Sequence, residues 1–128
     1  MAEILTPDLC VIGAGAGGLA VAAAARAHGA SVVLVERGRM GGTSLNSAGV
    51  PARALAAAGQ QAHGIRNGAV FGIPGDVPKV NFRRLHDHVH EVVATLGPDV
   101  SVARMEALGA EIINAEGSFA DARTLTAG

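Results

Sequence analysis

Aromatic residues are nearly absent: the 128-residue chain has three Phe, no Trp and no Tyr. It therefore offers no platform on which nucleic-acid bases could stack. Charge of one sign is lacking too. Ten Lys and Arg meet eleven Asp and Glu, and Arg83-Arg84 is the only adjacent basic pair. Without a basic footprint, no nucleic-acid partner is expected. A single cysteine, Cys10, excludes an internal disulfide framework and any multi-cysteine metal site. Long apolar runs are missing as well. The stretch Leu19 to Ala25 stops at Arg26, far short of a membrane span. Met1-Ala2-Glu3 is acidic, with no basic region ahead of an apolar one, so no targeting signal is expected. A soluble, cytoplasmic protein without a membrane partner is the expectation.

What is abundant is glycine. Eighteen residues are about twice the usual share, which implies a place where bare backbone is needed. A composition of 49% hydrophobic and 16% charged residues is that of a globular domain.

Leu9-Cys10-Val11-Ile12 is a short apolar run that reads as a strand buried on both faces, with Cys10 as a buried, inert thiol. An Ala-rich stretch, Leu19 to His28, predicts a helix, with Gly29 at its end. Ser31 to Glu36 predicts a second buried strand. Two strands joined by a helix make a parallel βαβ unit. Arg37 to Gly49 reads as loop running into a helix start, with Pro51 in the first turn and helix formers from Ala52 to Gln61. His63 to Asn81, with four Gly and two Pro, reads mostly as loop. Leu85, Val89, Val92, Val93 and Leu96 fall on one face of an amphipathic helix, Phe82 to Leu96. A short helix capped by Asp99 or Ser101 runs to Leu108. Glu111 to Ala115 and Arg123 to Thr126 read as strands, with a turn around Ala120 to Ala122. The fold class is α/β: a Rossmann-like, doubly wound parallel sheet with a small C-terminal β piece.

Gly13, Gly15 and Gly18 fit G-x-G-x-x-G between the first strand and the first helix, and Glu36 ends the next strand. In that context each glycine has a physical role. Gly13 makes the tight turn, Gly15 lets backbone approach a pyrophosphate, and Gly18 lets the helix pack on the sheet. The helix N-terminus directs N–H groups and partial positive charge at the anion. Glu36 can accept hydrogen bonds from an adenosine ribose. This is a dinucleotide site, and the unit by itself serves NAD and FAD alike.

The segment Gly41-Gly42-Thr43-Ser44-Leu45-Asn46-Ser47-Ala48-Gly49-Val50-Pro51-Ala52-Arg53-Ala54-Leu55 resembles G-G-T-C-x-N-x-G-C-x-P-S-K-A-L. That pattern belongs to the flavin-dependent pyridine nucleotide–disulfide oxidoreductases, such as dihydrolipoamide dehydrogenase, glutathione reductase and mercuric reductase. The resemblance covers nearly the whole chain, more loosely over Val80 to Thr126. It implies that FAD is the cofactor and that residues 1–128 form one FAD/NAD(P)-binding Rossmann-type domain. Gly13, Gly15 and Gly18 would hold the pyrophosphate and Glu36 the ribose, with Gly42 and Thr43 along the diphosphate and ribityl chain. Gly117 resembles a glycine near the adenine, and equally reads as an ordinary turn glycine. Arg53 stands where the family has a lysine near the flavin. Its fixed charge could stabilise a reduced, anionic flavin, or it is a solvated helix residue.

The departures are as informative as the matches. The family's redox cysteines fall on Ser44 and Gly49, so no catalytic residue for thiol–disulfide exchange is assigned. Full-length relatives also carry a return segment of the FAD domain, an NAD(P) domain and a dimerisation domain. The domain in residues 1–128 is therefore expected to be incomplete relative to the family. NAD(P)H would be engaged only through those further parts, and full-length relatives are homodimers. The resemblance implies electron transfer from NAD(P)H through FAD to an acceptor in full-length relatives. A non-catalytic flavin or adenine-nucleotide module and a plain NAD-binding Rossmann domain remain as alternatives.

His86, His88 and His90 alternate along the amphipathic helix. His86 and His90 have the spacing of two ligands on one helix face, but no H-E-x-x-H glutamate and no third ligand accompany them, so they read as a polar face and no metal site is assigned. Ser44 lacks the G-x-S-x-G elbow of a hydrolase nucleophile.

Overall fold

The computed structural model describes residues 3–128; Met1 and Ala2, part of the acidic start read as no targeting signal, lie outside them. Two sheets organise the chain. Strands β1 (Leu9–Ile12), β2 (Val32–Val35) and β3 (Glu111–Ile113) form a parallel sheet in the order β1-β2-β3. Strands β4 (Gly117–Phe119) and β5 (Leu125–Ala127) form an antiparallel hairpin. Helix α1 (Ala16–Ala27) joins β1 to β2 and completes the expected βαβ unit. The first helical residue precedes Leu19 because the glycines belong to the helix's first turn rather than to a separate loop.

The core follows from strand alternation. Val32 and Leu34 point to the face that packs with Leu19 and Ala22 of α1 and with Met105 and Ala110. Val33 and Val35 point the other way and are also buried, so β2 is covered on both faces as its unbroken apolar run requires. The hairpin approaches that second face: a Cβ at Gly117 would stand 3.3 Å from Val35 Cγ1.

Strand β1 departs from expectation. Leu9 and Val11 pack against the core, but Ile12 is 49% exposed and Cys10 is exposed. The reason is position: β1 is an edge of this sheet, and Cys10 and Ile12 share the face of Val33 and Val35. The Cys10 thiol is accessible rather than buried, although partial desolvation still pushes its pKa up, which keeps it protonated and a poor nucleophile at neutral pH.

Helices α2 (Gly42–Asn46) and α3 (Gly49–Asn67) follow β2. The expected loop from His63 shrinks, because α3 continues through Gly64 to Asn67 and a 3-10 turn covers Gly68–Phe71. A Cβ at Gly64 would meet nothing within 4 Å, and Asn67 Nδ2 donates to the His63 carbonyl at 3.0 Å within the last turn. Glycine weakens a helix without ending it.

Helix α4 (Phe82–Leu96) has the predicted bounds. Asn81 caps it by accepting from the Arg84 N–H at 3.1 Å. Val89 is buried, Leu85, Val92 and Val93 are half-buried, and α4 lies against α3. Leu96, at the end of the stripe, is exposed. Helix α5 (Val102–Ala107) is capped by Ser101, whose Oγ accepts from the Arg104 N–H. Arg26 ties α1 to the end of α5 by donating from Nε to the Leu108 carbonyl at 3.0 Å. Beyond β3, the hairpin's first strand, Gly117–Phe119, is an element that the weak strand propensity of Gly-Ser-Phe does not announce. No described helix is long and apolar enough to cross a membrane.

Candidate dinucleotide-binding site

The site forms where β1 and β2 end, the edge of a parallel sheet at which ligands bind. Gly13 leaves β1 with φ +95°, a left-handed conformation that favours glycine. Its N–H donates to the Val35 carbonyl at 2.8 Å, fixing the turn to β2. Gly15 is the N-cap of α1, and no side chain caps that helix. The N–H groups of its first turn therefore have neither an intrahelical partner nor a side-chain cap.

The glycines differ in what a side chain would meet. A Cβ at Gly15 would meet nothing within 4 Å, so open space lies in front of the helix N-terminus. A Cβ at Gly18 would sit inside the van der Waals shell of the Gly13 carbonyl oxygen. A Cβ at Gly42, where φ is +56°, would stand 2.8 Å from Gly15 Cα. The start of α2 is thus pressed against the glycine turn, which brings Gly42 beside Gly15, with Thr43 next along α2. The Gly41 N–H reinforces the contact by donating to the Ala14 carbonyl at 2.8 Å.

Glu36 faces the same turn. Its Oε2 accepts from the Ala14 N–H at 2.6 Å and its Oε1 from the Gly38 N–H at 2.6 Å. Its backbone joins β3, because the Glu36 N–H donates to the Ile113 carbonyl and the Ala115 N–H donates to the Glu36 carbonyl. An acid therefore stands at the rim of an open, glycine-lined cradle with free N–H groups. These residues fit a dinucleotide: bare backbone at the diphosphate, and a carboxylate for ribose hydroxyls.

Two sequence candidates stand apart from this group. Arg53 projects from α3, exposed, and makes no hydrogen bond or ion pair among the described residues. Gly117 lies over the ends of β1 and β2, close to Ile12 and Val35 on the face opposite α1. Ser44 and Gly49 are neighbours in space: a Cβ at Gly49 would stand 3.4 Å from Ser44 Cα.

Asn46 is a supporting residue whose role spacing alone does not reveal. Its Nδ2 donates to the Met40 and Gly42 carbonyls, both at 2.9 Å, and so holds the loop that delivers Gly42. A cavity of about 350 Å³ lined by Arg39, Met40, Leu45 and Val93 lies between α2 and α4 and does not include the cradle. Among the described residues no cluster of three or more metal-ligating side chains occurs.

Comparison with known proteins agrees with this geometry. The family pattern described as "Pyridine nucleotide-disulphide oxidoreductase" matches residues 7–127. A mercuric reductase of Streptomyces lividans is 39% identical over 115 residues, which are 89% of this chain and 24% of that protein. A dihydrolipoyl dehydrogenase of Geobacillus stearothermophilus is 30% identical over 118 residues, 92% of this chain and 25% of that protein. The chain thus spans about a quarter of the length of these relatives. Among solved structures, the Cu(II) complex of the HOCl-induced flavoprotein disulfide reductase RclA from Escherichia coli shares the fold. Its TM-score is 0.71 at 22% identity, over 92% of this chain and 24% of that one.

Proposed function

Because the chain belongs to the pyridine nucleotide–disulphide oxidoreductase family, we propose that it is the FAD-binding part of a flavin-dependent oxidoreductase. The observation that carries this reading is the open cradle at Gly15, flanked by Gly42 on one side and the Glu36 carboxylate on the other. Gly13 and Gly18 shape the turn, the first turn of α1 donates N–H groups to the diphosphate, and Glu36 accepts from the adenosine ribose. Thr43 borders the path of the ribityl chain. Arg53 contributes positive charge farther along α3, and Gly117 packs near the adenine end. When bound, FAD supplies a redox centre that takes electrons from a reduced pyridine nucleotide and passes them on.

In a full-length protein of this kind, NAD(P)H would be held by parts outside residues 1–128, and two copies would pair as a homodimer. Ser44 and Gly49 carry no sulfur, so this chain's own residues do not perform disulfide exchange. That observation favours a second reading, a flavin or adenine-nucleotide module whose electrons, if any, leave by another route.

Equilibrium titration of the chain with FAD, FMN, NAD and ADP tests the proposal. FAD is expected to bind more tightly than NAD, and FMN poorly, because the glycine turn and Glu36 address a diphosphate and an adenosine. Tighter binding of NAD than FAD would overturn the flavin reading in favour of a plain NAD-binding domain.

A further inference from the structure

We propose that His86 and His90 form a two-imidazole chelate on the surface of α4 for a divalent first-row transition metal, with Cu²⁺ bound ahead of Ni²⁺ and Zn²⁺. The two Nε2 atoms stand 3.0 Å apart, with ring centroids at 4.3 Å and planes inclined by 60°. Two nitrogens bound to one cation at about 2.0–2.1 Å are separated by about 2.9 Å at a right angle and about 3.3 Å at the tetrahedral angle. The observed spacing is the bite of such a pair. Residues four apart on a helix share a face, whereas His88, two residues from each, does not.

The helix holds this bite in place. Asn81 caps α4, and Val89, between the two ligands in sequence, is buried. Both residues sit on a fixed backbone and are exposed to solvent. Asp87 Oδ1 lies 3.7 Å from His86 Nδ1, placing negative charge beside the ring nitrogen that the chelate leaves free. Neutral imidazole suits Cu²⁺, Ni²⁺ and Zn²⁺, and among these Cu²⁺ forms the strongest complexes. With two protein ligands, the remaining coordination positions are filled by water, so the bound ion is exchangeable and distinct from a closed structural centre.

Calorimetric titration of the 128-residue chain with Cu²⁺ in a weakly coordinating buffer provides the test. His86→Gln and His90→Gln are each expected to weaken the tightest site by about tenfold or more, because either change removes the chelate. His88→Gln, on an exposed position of the same helix, is expected to stay within about twofold of the unaltered chain. Equal binding by all three variants, or an equal loss from His88→Gln, would overturn the proposal and leave a ring-to-ring hydrogen bond. A second measurement needs no variant: substoichiometric Cu²⁺ should broaden the imidazole NMR signals of His86 and His90 first. Broadening centred on His28, His63 or the N-terminus would equally overturn it.

Discussion

The Glu36 carboxylate holds the glycine turn by accepting a hydrogen bond from the Ala14 N–H at 2.6 Å. Ala14 is fully buried, so that donor has no recourse to water. One acid thus fixes the turn from within and keeps acceptor capacity for the ribose contact proposed above; an ionised carboxylate has about four lone-pair sites for both tasks.

Glu36→Ala is therefore expected to act twice. It should weaken FAD binding by about 1–3 kcal/mol through the lost charge-assisted contact. It should also destabilise the nucleotide-free chain by about 1–3 kcal/mol, because the Ala14 N–H is left buried without a partner. Denaturant unfolding without nucleotide, set beside FAD titration, measures the two effects separately. An unchanged unfolding midpoint would mean that the Glu36–Ala14 bond does not form in solution.

Gly15 and Gly18 are expected to respond in opposite ways. A valine at Gly15 enters open space, so the fold should lose no more than about 1 kcal/mol, while its side chain fills the place of the diphosphate and abolishes FAD binding. An alanine at Gly18 collides with the Gly13 carbonyl and should destabilise the fold by about 1–3 kcal/mol. Thermal unfolding and FAD titration of both variants distinguish a cradle from a mere turn. FAD binding retained by Gly15→Val would remove Gly15 from the site.

Much of this arrangement was legible in the residues. The βαβ unit follows from two apolar runs around an Ala-rich helix, and α4 from the spacing of Leu85, Val89, Val92 and Val93. The place of Glu36 at the end of the second strand was legible as well, but its hydrogen bond back to the Ala14 N–H was not, because that bond depends on the path of the glycine turn. The exposure of one face of β1 was not legible, because the apolar run Leu9–Ile12, though it marks the strand, contains nothing that distinguishes a central strand from an edge. The length of α3 was hidden by Gly64 and Gly68, whose tolerance depends on the space around them. The convergence of His86 and His90 needs side-chain rotamers, which spacing permits but does not fix. Asn46 is similar: its two carbonyl partners come together only once the Met40–Gly42 backbone has turned.

Acid should loosen the start of β1. Asp8 Oδ2 accepts from both the N–H and the hydroxyl of Ser31 at 2.7 Å, and these bonds hold its carboxyl below the ordinary aspartate pKa. A lowered folded-state pKa contributes stability above the unfolded value, about pH 4. That contribution is lost as pH falls through the folded value. Asp8→Asn should therefore be less stable than the unaltered chain at pH 7, and the difference should close as pH drops below about 4. Denaturant unfolding from pH 7 to pH 2.5 checks the sign; a difference that widens in acid would contradict the Asp8–Ser31 pairing.

Ser44→Cys with Gly49→Cys should form a disulfide without creating a disulfide reductase. In an uninterrupted helix, residues five apart are separated by about 7.5 Å along the axis, too far for the bond. Here the chain breaks between α2 and α3, with Ser47 at φ −142° and Ala48 at φ −129°, ψ −77°. A Cβ at Gly49 then lies 3.4 Å from Ser44 Cα, which puts the two Cα atoms within about 5 Å, inside the range a disulfide requires. That Cβ also stands 2.9 Å from the Ser44 carbonyl oxygen, so a small shift of the break accompanies the substitution. Air oxidation should remove two thiols per chain from the double variant, as read by thiol titration and mass, whereas the single variants stay unlinked within the chain. NADH with FAD should nevertheless drive no reduction of a disulfide substrate by the 128-residue double variant. These residues contain one glycine fingerprint, which the proposed FAD site occupies, and no second one to set a nicotinamide against the flavin. NADH-dependent turnover by the double variant would show that the nicotinamide is held by residues already present in this chain.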